Sequence, residues 1–187
     1  MWFGKAKPGD ETRDKAARLL VTPSALVQLS LVDARAVVTY MQPLKVPAGT
    51  VFIHEGEVVR TDYMMLVLDG EVTVEHEQTA ASDSMVMSVM GPGSLIGEMG
   101  LLDGSPRSAT CCAATDLAVA VLSRDALLLL IEQRPSVAAR LLLSISKSLS
   151  DRLRETNGKL KALIQVSRAM QQELAATPAV VKRRPLR

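Results

Sequence analysis

The sequence predicts a mainly β protein with flanking helices: an eight-stranded antiparallel jelly-roll barrel, N-terminal helices and one long C-terminal helix. Three observations predict it. Short Val-, Ile-, Leu- and Met-rich runs between Met41 and Leu122 are punctuated by Pro43, Pro47, Gly49, Gly56 and Gly70, the texture of short antiparallel strands. Apolar residues at helical spacing precede Met41 and follow Ser123. The segment after Pro135 keeps a helical pattern as far as Ala176, where Thr177-Pro178 stops it.

Composition narrows the class. A chain of 187 residues is long enough for one hydrophobic core without disulfide staples. Net charge is +2, but the last six residues, KRRPLR, hold four positive charges. Without them the chain carries 18 Lys and Arg against 20 Asp and Glu, a balance of −2. A near-neutral body argues against a broad electrostatic face for nucleic acid. Cys111 and Cys112 are adjacent, so on a strand they point to opposite faces and do not pair. That fits a reduced, cytoplasmic setting. The opening MWFGKAKPGDE has no apolar signal segment, and the longest apolar runs, such as YMMLVL, have six residues, too few to span a membrane.

The elements follow in order. Residues 1–11 read as an irregular lead-in. Thr12 to about Tyr40 reads as helical with one break, Thr22 capping and Pro23 opening a second helix through Ala25, Leu26, Leu29 and Val32. In LDGEVTVE, Asp69-Gly70 signals a hairpin and Val72 and Val74 alternate with polar residues. TAASDS, 79–84, is a loop. Further strands are expected at about 85–90, 94–97, 108–114 and 116–122. Ser123 caps a helix ending before Pro135, and Pro135 opens the last one. These elements give four segments: N-terminal helices 1–40, the β domain with its hinge helix 41–134, the long helix 135–176 and a basic disordered tail 177–187. Leu153, Thr156, Leu160, Leu163, Ser167, Met170 and Leu174 are spaced 3, 4, 3, 4, 3, 4 along that helix. This is a coiled-coil seam, which predicts a parallel homodimer.

The chemistry concentrates in GSLIGEMGLLDGSPRSAT, 93–110. Gly97 permits a close backbone approach, and EMGLL can form one helical turn with free N–H groups at its start. Arg107 returns on the next strand with a planar fork suited to phosphate. Glu98 only accepts hydrogen bonds, so it needs a ligand that also offers hydroxyls. Phosphate plus sugar hydroxyl satisfies both and points to a nucleotide. The competing reading is a structural salt bridge between the two.

IGEMGLLDGSPRSAT resembles the phosphate-binding cassette of cyclic nucleotide-binding domains, the family of the bacterial catabolite activator and the cAMP-dependent kinase regulatory subunits. Its pattern is roughly F-G-E-[LM]-[AG]-L-[LM], then P-R-[AS]-A; Ile96 replaces the first Phe. The resemblance extends from about Met41 to Asn157. It implies that Glu98 accepts the ribose 2′-hydroxyl and Arg107 pairs with the cyclic phosphate. It implies further that Gly97 with the backbone of Glu98, Met99 and Gly100 lines that phosphate, and that Ser108 donates to phosphate or reaches the purine. Thr156 and Asn157, in RLRETNGKL, match the long-helix segment that contacts the base in dimeric bacterial relatives. Ser rather than Thr at 108 favours cAMP, with cGMP and c-di-GMP as alternatives.

No zinc spacing, nucleophile elbow or Walker pattern is present, so neither a cofactor nor an enzyme is expected. Only 11 residues follow Ala176, too few for a DNA-binding domain. The expectation is a stand-alone sensor that signals to an unidentified effector protein by moving its C-terminal helices. The rival is a constitutive dimeric scaffold with a vestigial pocket.

Overall fold

The computed structural model describes residues 9–22, 25–26, 29–76 and 85–176. The chain divides into two compact units, Met1–Ser146 and Lys147–Arg187.

In the first unit, α1 spans Asp10–Leu20. Asp10 and Glu11 in its first turn and Arg18 in its last complement the helix dipole, so the helix begins inside the expected irregular lead-in. Residues 1–8 of that lead-in lie outside the described residues. Ala16, Ala17 and Leu20 form the buried face.

The second helix corrects the sequence reading. Thr22 does not open it. Its hydroxyl donates to the Leu19 carbonyl (2.8 Å) and closes α1. Helix α2 is Leu31–Val38, capped by Ser30, whose Oγ accepts from the Asp33 N–H at 3.1 Å. Ala25, Leu26 and Leu29 are buried yet not helical, whereas Val32, which shares their spacing, is 75% exposed. At 25, 26 and 29 the spacing reported burial rather than helix, and at Val32 it reported helix rather than burial. Pro23 lies outside the described residues.

Asp33 ties α2 to helix α5, Pro135–Ala176. Arg140 Nε and Nη2 donate to its two carboxylate oxygens, both at 2.7 Å, and the Ser30 hydroxyl donates to Oδ2 at 2.7 Å. These bonds, Arg140's first and Ser30's second, hold the Asp33 carboxyl below the usual carboxylate range. A folded value below the unfolded one stabilises above about pH 4, and that stability is lost as pH falls through the folded value. The urea midpoint of the wild type is therefore expected to fall more between pH 5 and pH 3 than that of Arg140→Ala. Parallel curves would show that the clamp contributes nothing.

Eight antiparallel strands follow. They are β1 (Gln42–Val46), β2 (Val51–Ile53), β3 (Tyr63–Asp69), β4 (Val72–His76), β5 (Met85–Met90), β6 (Leu95–Ile96), β7 (Thr110–Ala113) and β8 (Leu117–Ser123). They form two four-stranded sheets, ordered β1-β8-β3-β6 and β2-β7-β4-β5. The order is consistent with an eight-stranded jelly roll, but no ladder joins the sheets among the described residues, so the expected closed barrel is an open pair of sheets. The core lies between them, with Ile53, Met65, Val67, Val72, Ile96 and Val119 at its centre. Cys111 points into it and Cys112 is half-buried; both are free thiols.

Gly70 is also corrected. It turns tightly at φ 86°, but β3 and β4 belong to different sheets, so Asp69-Gly70 passes the chain between sheets and makes no hairpin. The hairpin partner of β4 is β5. The TAASDS loop between them lies outside the described residues.

Helix α4, Arg124–Gln133, starts where Ser123 Oγ accepts the Ala126 N–H (3.2 Å), as the sequence predicts. Leu127 and Leu130 bury its inner face. Ala138, Leu141 and Ile145 bury the first turns of α5.

In the second unit α5 continues to Ala176. Leu153, Leu160, Leu163 and Met170 on the expected seam are 54–66% exposed. The basic tail lies outside the described residues. Among the described residues no helix is long and apolar enough to cross a membrane, and no group of three or more His, Cys, Asp or Glu could hold a metal ion.

Candidate functional site

The site is built around helix α3, Glu98–Asp103. Gly93 (φ 86°) turns the chain into β6, where its N–H reaches Val67 O at 2.8 Å. The two residues of β6 then pair with Met65 and Leu66 of β3. Gly97, at φ 80°, ends the strand and caps α3. The first intrahelical bond runs from Leu101 N–H to Gly97 O (3.2 Å), so the N–H groups of Glu98, Met99 and Gly100 precede it. Gly104 (φ 71°) closes the helix by donating to Gly100 O at 2.9 Å.

Glycine is required at 97 and 100 by contact. A Cβ at Gly97 would sit 2.6 Å from Arg107 Nη1 and 3.0 Å from Tyr63 O. One at Gly100 would sit 2.6 Å from Thr61 O and 3.0 Å from Arg107 Nη1. The backbone approach expected at Gly97 is therefore made to the guanidinium of Arg107 itself.

Arg107 is 5% exposed. Its backbone pairs with the β2–β3 loop, through Gly56 N–H to Arg107 O (2.8 Å) and Arg107 N–H to Glu57 O (3.0 Å). Its Nη1 donates to Tyr63 O (3.3 Å) and Gly97 O (3.1 Å), and its Nη2 to Arg60 O (3.0 Å) and Tyr63 O (3.2 Å). The guanidinium carbon lies 4.3 Å from the centre of the Tyr63 ring, within cation–π range. Nε is buried and makes no hydrogen bond. Leaving a buried donor unpaired costs desolvation energy, and among the described residues Arg107 shares this state with the Nε of Arg13 and of Arg124.

Glu98 opens α3 and is 4% exposed. It and Arg107 act on the same buried thiol. Burial pushes Cys111 up to about 11, with the Arg107 charge opposing and the Glu98 charge adding.

The remaining expected residues fall as follows. Gly97 is half-exposed, Gly100 buried and Met99 46% exposed. Ser108 is exposed and precedes β7, which starts at Thr110 rather than 108. Thr156 and Asn157 lie in the second unit and are exposed; the Thr156 hydroxyl donates to Arg152 O at 2.9 Å.

Sequence reasoning missed three residues here: Arg60, Tyr63 and Arg124. Arg124 Nη2 donates to Gly100 O (3.1 Å) and Leu101 O (2.8 Å), and its N–H to Asp62 O (2.7 Å). It thus binds the end of α3 to the start of α4. Its signal was available, because a cation at the first position of a helix opposes the helix dipole and must serve something else.

Known proteins resemble this chain in sequence and in fold. The model of the cyclic nucleotide-binding domain matches residues 43–134. The chain is 29% identical over 144 residues to a CRP-like cAMP-activated global transcriptional regulator of Mycobacterium tuberculosis, covering 77% of this chain and 58% of that protein. It is 33% identical over 125 residues to a cyclic AMP receptor protein of Thermus thermophilus, covering 67% and 55%. The chain therefore spans a little over half the length of these curated relatives. A cyclic nucleotide-binding domain from Methylobacillus flagellatus superposes with a TM-score of 0.69 at 29% identity, covering 82% of this chain and 84% of that one. The cassette around α3, the buried Arg107 and the matching relatives place this chain in the family of cyclic nucleotide-binding domains.

Proposed function

We propose that the protein is a cyclic nucleotide-binding regulatory sensor whose preferred ligand is cAMP. The observation that carries this reading is the buried Arg107 guanidinium, packed against the backbone of Gly97 and Gly100 at the start of α3, the helix that buried Glu98 opens. Arg107 would pair with the cyclic phosphate and Glu98 would accept the ribose 2′-hydroxyl. Gly97, Glu98, Met99 and Gly100 would line the phosphate with their backbone, and Ser108 would donate at its edge. Thr156 and Asn157 would approach the base. Relatives named for cAMP and serine at 108 support cAMP over cGMP or c-di-GMP.

Output would leave through the helices to an effector protein in the cytoplasm, since nothing at the site suggests catalysis. A row of exposed apolar residues along α5 supports a homodimer. A second reading, a dimeric scaffold with a vestigial pocket, is favoured by one fact: both Nη nitrogens of Arg107 are already bonded to carbonyls.

Thermal-shift and calorimetric titration with cAMP, cGMP and c-di-GMP separates the two. A ligand at a hundred times its Kd adds about 2.7 kcal/mol of stability. A shift largest with cAMP is expected. No shift with any of the three would leave the scaffold, and sedimentation of the same samples should give a dimer under either reading.

A further inference from the structure

We infer that the Arg60 carbonyl is an internal competitor for the phosphate, so that ligand binding releases the β2–β3 loop. This inference rests on the proposed cyclic nucleotide site.

A guanidinium is planar, with three hydrogen-bonding edges. Tyr63 O takes the edge between Nη1 and Nη2, accepting from both at 3.3 and 3.2 Å. Gly97 O takes the outer hydrogen of Nη1 at 3.1 Å. The third edge joins Nε to the outer hydrogen of Nη2. Its Nε half makes no hydrogen bond, and its Nη2 half is held by Arg60 O at 3.0 Å. A phosphate grips arginine most strongly through two parallel N–H bonds. The edge of Arg107 with a vacancy is this one, and a bidentate phosphate there must take the Nη2 hydrogen from Arg60.

Arg60 is held in a costly state. It has φ 59°, and no other described non-glycine residue has a positive φ. L-residues disfavour that region because Cβ crowds the following carbonyl. The bond to Arg107 is what this conformation supplies. Once phosphate removes it, the residue gains by leaving the left-handed region. The ends of its segment are pinned, Glu57 O by the Arg107 N–H (3.0 Å), Asp62 O by the Arg124 N–H (2.7 Å) and buried Thr61 by its bond to Gly104 O (3.3 Å), but between them Val58 and Val59 are 69% and 64% exposed and the Glu57–Arg60 ion pair (3.1 Å) is exposed on the arginine side. Arg60 is thus a positioning residue, and the stretch from Val58 to Arg60 reports whether Arg107 is holding phosphate or carbonyl.

Hydrogen–deuterium exchange of the full chain with and without cAMP tests this, alongside calorimetry. Amides at 98–101 should slow on binding, while those at 58–60 should speed up by about threefold or more. Protection at 98–101 with an unchanged or slower loop would overturn the inference and leave the binding site intact. No heat and no protection with cAMP, cGMP or c-di-GMP would overturn the binding site and the inference together. Arg60→Gly adds a separate arm, because glycine keeps the carbonyl and occupies positive φ freely. It should weaken cAMP binding about fivefold at unchanged Tm by favouring the carbonyl-held state. Unchanged affinity in that variant would remove Arg60 as the competitor.

Discussion

Arg107→Ala is expected to lose nearly all affinity for cyclic nucleotide and to destabilise the fold as well. Removing the partner of a buried charge costs about 2–5 kcal/mol, a loss of roughly thirtyfold to several thousandfold in Kd. The stability effect has a separate cause. The carbonyls of Arg60, Tyr63 and Gly97 lose their donor, and an unsatisfied buried acceptor costs about 1–3 kcal/mol. Arg107→Lys divides the two effects. An ammonium keeps the charge but has three hydrogens, too few for three carbonyls and a phosphate. It should recover part of the stability and little of the affinity. Glu98→Gln should cost about tenfold to a hundredfold in binding, the worth of one hydrogen bond to a charged group. Calorimetry and urea unfolding of the three variants measure both quantities, and native affinity in Arg107→Ala would end the phosphate assignment.

What the sequence carried and what it did not divide along a physical line. Short-range signals were legible. Ser123 caps α4 through a bond three residues away, Pro135 opens α5, and the Gly97–Gly104 stretch makes one short helix. Residue type and nearest neighbours decide each of these. The burial of Glu98 and Arg107 was legible as a departure from a plain surface loop, because two charges set among glycines and apolar residues need a partner, whether each other or a ligand. Cap choice was less so. Thr22 and Ser30 are both competent caps, and only the tertiary packing of Ala25, Leu26 and Leu29 sends the chain past the first to the second. The two-sheet arrangement was hidden for a similar reason. Asp69-Gly70 has the composition of a hairpin turn, but composition cannot report whether the next strand pairs with the last. Long-range partners left no trace. Arg107 meets carbonyls 44 and 47 residues upstream, and Arg140 meets Asp33 at a separation of 107.

Under the proposed sensor reading, two such arginine contacts would couple a ligand to α4. Arg107 holds the carbonyl of Gly97 at the start of α3, and Arg124 holds the carbonyls of Gly100 and Leu101 near its end. Arg124 is also the first residue of α4. A ligand that moves α3 by altering the Arg107 bonds therefore pulls on α4 without an intervening flexible segment. A ligand can bias helix position only through such differential contacts, and α3 is the element that touches both ends.

Gly97→Ala carries a second large expected effect on stability, and it can be factored with two other glycines. At φ 80° an alanine pays about 1–2 kcal/mol for the left-handed backbone. Its Cβ would also lie 2.6 Å from Arg107 Nη1 and 3.0 Å from the Tyr63 carbonyl, and overpacking of this kind adds about 1–3 kcal/mol. Together these predict a fall in Tm of roughly 5–15 °C. Gly49 supplies the control for backbone strain, since it has φ 77° with nothing within 4 Å of its Cβ. Gly49→Ala should lose only about 2–6 °C and leave cAMP affinity unchanged. Gly100 supplies the control for contact. Its φ is not positive, yet its Cβ would meet Thr61 O at 2.6 Å. Gly100→Ala should therefore destabilise by the steric share alone, and should weaken binding because Nη1 of Arg107 lies 3.0 Å from the new methyl. Calorimetric melting and cAMP titration of the three variants read both quantities. If Gly97→Ala behaves like Gly49→Ala in both, Arg107 does not pack against the start of α3, and the carbonyl-held guanidinium on which the binding site depends is wrong.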